Sequence, residues 1–260
     1  MNGNLKFKKS KNLKLRFMNL VQTKIVNTKT FNKNNRPTIV LMTRWHGVYR
    51  CKSRLSNDIG AYRAAKIQEK LTINTINVAK ETQKKGLADI KIAIDGIGLK
   101  AAKKWASRNQ IKTIVVQGAG SLGTKMNRQF LKTHSKKTLS HQSRNPILII
   151  GTDLPSISHS DLIQAIQILN HKEMVLGPSS DGGYWLIGLS NKLINPLCAW
   201  PFSGIKWGTD NVLQETLRLA SINQIDYKLL QTKNDLDNIM DLSPWIDHKS
   251  FRLSVSSYQL

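Results

Sequence analysis

A chain of 260 residues with 40% hydrophobic content can bury a full core as one large domain, or as one domain with an extension. Lys and Arg number 40 against 16 Asp and Glu, a formal charge of +24 that suits nucleic acid, a membrane surface or a phosphate-bearing substrate, although scattered lysines in a chain this rich in Lys, Asn and Ile also read as compositional drift. No apolar run approaches the roughly 18 residues of a membrane span, and Cys51 and Cys198 lack a CxxC or His partner at metal spacing, so neither a transmembrane segment nor a disulfide framework is expected and the cytoplasm is the default location.

Residues 1–36 carry ten Lys or Arg and no acid. They read as a solvated, disordered or weakly helical extension; a nucleic-acid or lipid-surface arm is the alternative, and any nucleic-acid contact is expected only there. Order is expected from Pro37, with a single domain over 37–245 and a tail over 246–260. Residues 38–43 are apolar and β-branched, a first strand. The loop behind it holds Arg44, Trp45, His46, Arg50, Lys52 and Arg54, either an exposed basic surface or a phosphate cradle without a P-loop or dinucleotide fingerprint. A helix is expected over 61–80, with Ala64, Ile67, Leu71 and Val78 on one face.

Residues 87–94 suit a second strand, 99–108 a helix and 111–116 a third strand. That strand ends at Gln117-Gly118-Ala-Gly120-Ser-Leu-Gly123, a Gly-rich turn into a helix over 124–133. There the Gln117 amide is placed to read a base edge. Residues 134–145, with His134 and His141, read as a basic surface loop without a metal site.

Ile147 to Ile150 are four apolar β-formers in a row, the pattern of a strand buried on both faces. The strand stops at Gly151, and Asp153 and Pro155 follow. Ser158 and Asp161 have capping-box spacing ahead of Leu162, Ile166 and Leu169. Ligands of open α/β sheets bind beyond the carboxyl ends of the strands, which makes Asp153 a first functional candidate. Residues 174–177 and 185–189 read as strands around Asp181-Gly182-Gly183, which is either hairpin chemistry or the floor of a pocket. Thr209 or Asp210 is placed to cap a helix near 211–220. Asp235, Asp237 and Asp241 either hold a divalent metal or start a short helix.

The alternation of strands and helices predicts an α/β fold with a doubly wound, mostly parallel sheet. Cationic groups and a carboxylate at one sheet edge suit a metal-bound nucleotide di- or triphosphate, hence a nucleotide-dependent transferase.

Six ordered segments, spread over about four-fifths of the chain, resemble one bacterial family, the DUF2064 group, also called selenodomain-associated transferase 1 or arsenosugar-biosynthesis glycosyltransferase. They are Lys52-Ser-Arg54-Leu55, Gln117 to Met126, Gly151-Thr-Asp153-Leu-Pro155, Gly177 to Leu189, Trp207-Gly-Thr209 and Asp235-Leu-Asp237 with Asp241-Leu242. The resemblance implies a GT-A-like, Rossmann-like fold of the nucleotide-diphospho-sugar transferase superfamily, and a glycosyl transfer from a nucleotide-diphospho-sugar donor to a small-molecule acceptor, assisted by Mg²⁺ or Mn²⁺. It would put Lys52 and Arg54 on phosphates, Gln117 and Gly118 near the base, and Asp153 and Asp237 on the metal. Gly182, Gly183, Tyr184 and Trp207 would face substrate, with Asp181 as a base near the acceptor. The related alternative is an NTP-consuming nucleotidyltransferase like 2-phospho-lactate guanylyltransferase, and a further one is a basic nucleic-acid binder with a decayed pocket. Three departures stand out: His46-Gly47-Val48-Tyr49 replaces the family's Pro-x-Pro-Gly, Ser121 its Asp and Lys125 its Arg.

Overall fold

A computed structural model describes residues 36–133, 145–194 and 203–245. Nearly all of the N-terminal extension, together with His134, His141, Cys198 and the C-terminal tail, lies outside the described residues. Four apolar residues in succession make β4 (Ile147–Gly151) the centre of the molecule, and Ile147 to Ile150 are at most 3% exposed. β4 runs parallel to β1 (Thr38–Arg44), which pairs parallel with β2 (Asp89–Asp95), which pairs parallel with β3 (Ile114–Val116). On the other side β6 (Tyr184–Leu189) runs antiparallel to β4 and to β5 (Met174–Pro178), and β7 (Tyr227–Leu229) lies parallel to β5. The order is β3-β2-β1-β4-β6-β5-β7, a mostly parallel α/β sheet with β6 reversed.

The helices are α1 (Ser53–Ile59), α2 (Ala61–Lys84), α3 (Leu99–Arg108), α4 (Leu122–Thr133), α5 (His159–Ile168), α6 (Asn191–Ile194), α7 (Val212–Ile222) and α8 (Ile239–Leu242). One core cluster joins sheet residues such as Val40, Ile149 and Leu176 to Met126 and Phe130 of α4 and Ala220 of α7. A smaller cluster joins Leu55 of α1, Ala64, Ile67 and Leu71 of α2, and Leu236 and Leu242 near the C-terminus. The capping box before α5 forms as its spacing predicts: Asp161 N–H donates to Ser158 Oγ at 3.4 Å and Ser158 N–H to Asp161 Oδ2 at 2.8 Å.

Three expectations shift. The third strand begins at Ile114 rather than Ile111, because Gln110 turns through φ 54° and Ile111 N–H closes back on Ala106 O at 2.9 Å. The basic loop after β1 contains α1, seven residues with a single buried side chain and so no apolar period to read. Neither Thr209 nor Asp210 caps α7, whose N-cap is Asn211 without a side-chain bond; Thr209 Oγ1 donates to Lys206 O instead. No described helix is long and apolar enough to cross a membrane.

Because β4 is closed on both faces while the capping box lies at the surface, the two features should differ in cost. Urea unfolding is expected to show Ile150→Ala losing about 2–5 kcal/mol and Ser158→Ala about 0.5–2 kcal/mol.

Candidate active site

Parallel pairing carries the carboxyl ends of β1, β2, β3, β4 and β5 to one edge of the sheet, and the reversal of β6 starts that strand at the same edge. A cavity of about 980 Å³ opens there, a size that accepts a nucleotide-sized ligand. Arg44, Lys52, Arg54, Asp153, Asp181 and Asp237 all line it.

At its centre is Lys52, the N-cap of α1. Its backbone is left-handed, φ 50° and ψ 50°, a conformation that costs a non-glycine residue about 1–2 kcal/mol. Leu55, buried one turn on, pins α1 to α2 and the C-terminal segment. The Lys52 side chain is only 3% exposed, and its Nζ stands 2.8 Å from Asp237 Oδ1 and 3.1 Å from Asp153 Oδ1. Burial pulls this ammonium's pKa down, but the two carboxylates outweigh burial and the net direction is upward. Lys52 therefore stays charged.

Asp153 reaches the edge because it follows β4 directly. Its carbonyl accepts Leu236 N–H at 2.9 Å, which ties the C-terminal segment to the sheet. Leu236 itself is fully buried against Leu55 and Leu71. Side chains on a non-helical chain alternate in direction, so its neighbours Asp235 and Asp237 turn to the other side, into the cavity. Asp241 separates from them: its Oδ2 accepts the N–H groups of Asp237 and Asn238, both at 2.9 Å, in the capping box of α8. Of the three acids, two face the cavity and one starts a helix.

Asp181 is exposed on the turn between β5 and β6, with Oδ1 accepting Gly183 N–H at 3.0 Å. Gly182 has φ 86°, and a Cβ there would lie 1.8 Å from Asp210 O, so only glycine fits. Its carbonyl accepts Leu213 N–H at 2.9 Å, which docks the turn on the first turn of α7. Asp235, beside it, accepts Ser179 Oγ at 3.0 Å. Burial, then the charges of Asp181 and Asp237, push the Asp235 carboxyl above its ordinary pKa.

Gln117, Gly118 and Tyr184 each make contacts within the fold. Gln117 is buried, and its Nε2 donates to Thr43 O at 3.0 Å and Ala93 O at 2.9 Å, so both amide hydrogens brace β1 against β2 and are not presented to a base. Gly118, at φ 79°, lies beneath the Arg128 guanidinium, which also binds the Gln117 and Ala119 carbonyls. Tyr184 meets Trp207 edge-on at 6.3 Å, and its phenol is buried beside Thr216. No aligned hydrogen bond joins the two hydroxyls, and Thr216 Oγ1 donates to Val212 O at 2.7 Å. Burial raises the phenol pKa, so the group stays neutral, and Tyr184 as a whole still lines the cavity. Trp207 leans on Gly123 of α4, where a Cβ would come within 2.3 Å of its indole nitrogen. Arg54 is exposed at the rim with no ion-pair partner among the described residues.

Sequence reasoning missed the ion pair of Asp95 with Lys125 at 2.7 Å, also on the cavity wall. Asp95 ends β2 as Asp153 follows β4, so the strand-end rule would have found it. It also missed a buried hydroxyl chain under the cavity: Thr152 Oγ1 to Thr43 Oγ1 at 2.9 Å, then Thr43 to Thr72 at 3.1 Å. The loop that lacks the family's prolines is held by aromatic packing instead, with Trp45 4.1 Å from His46 and edge-on to Trp105 at 6.0 Å.

Among the described residues no three His, Cys, Asp or Glu side chains form a ready metal cage. Asp153 and Asp237 nevertheless converge on one cationic point and remain 43% and 41% exposed. Two carboxylates completed by phosphate oxygens and water are a donor set that suits Mg²⁺.

The DUF2064 family, described as an uncharacterized protein conserved in bacteria, matches residues 77–209. No curated protein matches the chain. A protein from Desulfovibrio desulfuricans G20 assigned to the nucleotide-diphospho-sugar transferases superposes with a TM-score of 0.70 at 22% identity, over 84% of this chain and 91% of that one. The 4-diphosphocytidyl-2C-methyl-D-erythritol synthase of Anaerococcus prevotii DSM 20548 superposes with a TM-score of 0.51 at 12% identity, over 80% and 95%. These likenesses establish a fold shared with such transferases.

Asp235 also gives the site a stability signature. A carboxyl whose folded pKa is raised favours the fold while protonated, and that contribution is lost as pH rises through the folded value. Asp235→Asn keeps an acceptor for Ser179 and removes the charge. Thermal melts are expected to show the variant above wild type at pH 7, with the gap closing as pH falls below the ordinary carboxylate range.

Proposed function

We propose that this chain, which belongs to the DUF2064 family, transfers a glycosyl group from a nucleotide-diphospho-sugar to a small-molecule acceptor, with Mg²⁺ or Mn²⁺. One arrangement supports the proposal: Lys52, Asp153 and Asp237, from three distant parts of the chain, meet at one point in a large cavity at the carboxyl edge of the sheet. Cavities at that edge are where open α/β folds bind nucleotides. The Desulfovibrio neighbour bears the same fold under a nucleotide-diphospho-sugar transferase assignment.

In this reading Lys52 and Arg54 bind the diphosphate. Lysine supplies a compact charge and arginine a planar fork, which together hold an anionic leaving group in position. Asp153 and Asp237 would hold the divalent cation, which supplies electrostatic stabilisation of the departing diphosphate. The sugar lies beside the Gly182-Gly183 turn, which the Asp210 backbone packs against at Gly182 and which carries Asp181 into the cavity. Asp181 takes the proton of the acceptor hydroxyl as the new glycosidic bond forms and the bond to the diphosphate breaks. Gly183 N–H fixes the orientation of that carboxylate. Trp207, wedged on Gly123, walls the acceptor side and excludes water.

Turnover of a panel of nucleotide sugars and NTPs, each with a cell-extract acceptor pool and with Mn²⁺ or EDTA, tests the reading. Metal-dependent nucleoside diphosphate release is expected from one nucleotide sugar, with Asp181→Asn lowering kcat about 10²–10⁴-fold at little change in donor KM. Pyrophosphate release from an NTP would instead make the protein a nucleotidyltransferase.

A further inference from the structure

The point between Asp153 and Asp237 is already held by a cation, the ammonium of Lys52. Its placement is built in rather than incidental. The side chain is 3% exposed, and the backbone at residue 52 is left-handed. Leu55 and Leu236, both fully buried in one cluster, fix the two segments that bring the charges together. A surface lysine that merely finds a nearby acid shows none of these. Both contacts use Oδ1 atoms, at 3.1 and 2.8 Å. A free divalent cation entering between the same carboxylates would meet the full positive charge of the buried ammonium at contact distance, and like charges that close repel.

We propose that Lys52 makes this carboxylate pair a site for a metal–nucleotide complex and not for the free metal ion. The proposal rests on the transferase reading of the site and names the form in which it takes its metal. A diphosphate carries the compensating negative charge that a bare ion lacks. Its oxygens give the lysine ammonium a second partner, and the four-carbon stem lets Nζ move across the adjoining cavity without backbone change. The cation would take the ammonium's place on the two carboxylates while the ammonium pairs with the phosphate oxygens, so charge stays balanced throughout. The lysine is a specificity-determining residue: it keeps the acids from collecting ions alone and releases them when the phosphates arrive.

Binding of Mn²⁺ alone, followed by loss of the free-ion electron paramagnetic resonance signal, tests this with the full-length chain and needs no turnover. Lys52→Met and Lys52→Gln are expected to bind Mn²⁺ at least about tenfold more tightly than wild type, a difference of about 1.4 kcal/mol. Lys52→Arg, which keeps the charge, should stay near wild type. Adding Asp153→Asn to Lys52→Met or to Lys52→Gln should remove the gain. Either neutral variant suffices, so a folding failure in one leaves the comparison intact. The proposal is overturned if wild type binds free Mn²⁺ as tightly as the neutral variants, or if the gain survives Asp153→Asn. Failure of the transferase reading would appear separately, as absence of turnover across the nucleotide panel.

Discussion

One ammonium group shared by two carboxylates sets the geometry of the site. Lys52 and Asp237 are 185 positions apart in sequence, yet Nζ and Oδ1 stand 2.8 Å apart, and Asp153 closes the group from the end of the central strand. The ammonium, 3% exposed, is costly to desolvate and is retained because two partly exposed carboxylates partner it. Removing Lys52 would leave two facing acids, and removing either acid would leave a buried ammonium with half its compensation. The apolar scaffold around them is correspondingly firm, with Leu55, Leu71 and Leu236 all fully buried.

Sheet topology explains why the remaining groups arrive at the same place. The parallel strands deliver Arg44, Asp95 and Asp153 to one edge. The reversal of β6 turns the Asp181 loop back to it, and the segment after β7 brings Asp235 and Asp237 along it. The result is an acidic floor in a chain of net charge +24, with cationic Lys52 at its centre and Arg44 and Arg54 at the rim. Such a mixture suits an anion that carries its own metal. Burial first, and then the nearby charges of Asp181 and Asp237, raise the Asp235 pKa, the kind of local cost that binding sites retain for function.

Much of the fold was legible because its signals are local. The run Ile147 to Ile150 gives a doubly buried strand by composition alone, Ser158 and Asp161 carry their capping box in their spacing, and α3 occupies the expected residues. The site was legible mainly as charges at strand ends. What could not be read was partnership. Nothing in the sequence says that the Gln117 amide spends its hydrogens on β1 and β2, or that the Tyr184 phenol is buried beside Thr216. Asp235, Asp237 and Asp241 look alike in sequence; the burial of Leu236 and the capping box on Asn238 divide them. α1 was missed because a seven-residue helix with one buried side chain has no periodicity to detect.

The charged centre of Lys52, Asp153 and Asp237 is either a nucleotide site or a structural ion cluster. Calorimetric titration of UDP, GDP, CDP, ADP and dTDP, each with Mn²⁺ present, into wild type and Lys52→Met would test this most directly. One diphosphate should bind wild type with one-to-one stoichiometry and Lys52→Met at least about tenfold more weakly. If no diphosphate binds, or if one binds both proteins equally well, Lys52 and its two carboxylates are a structural ion cluster and the cavity serves another ligand.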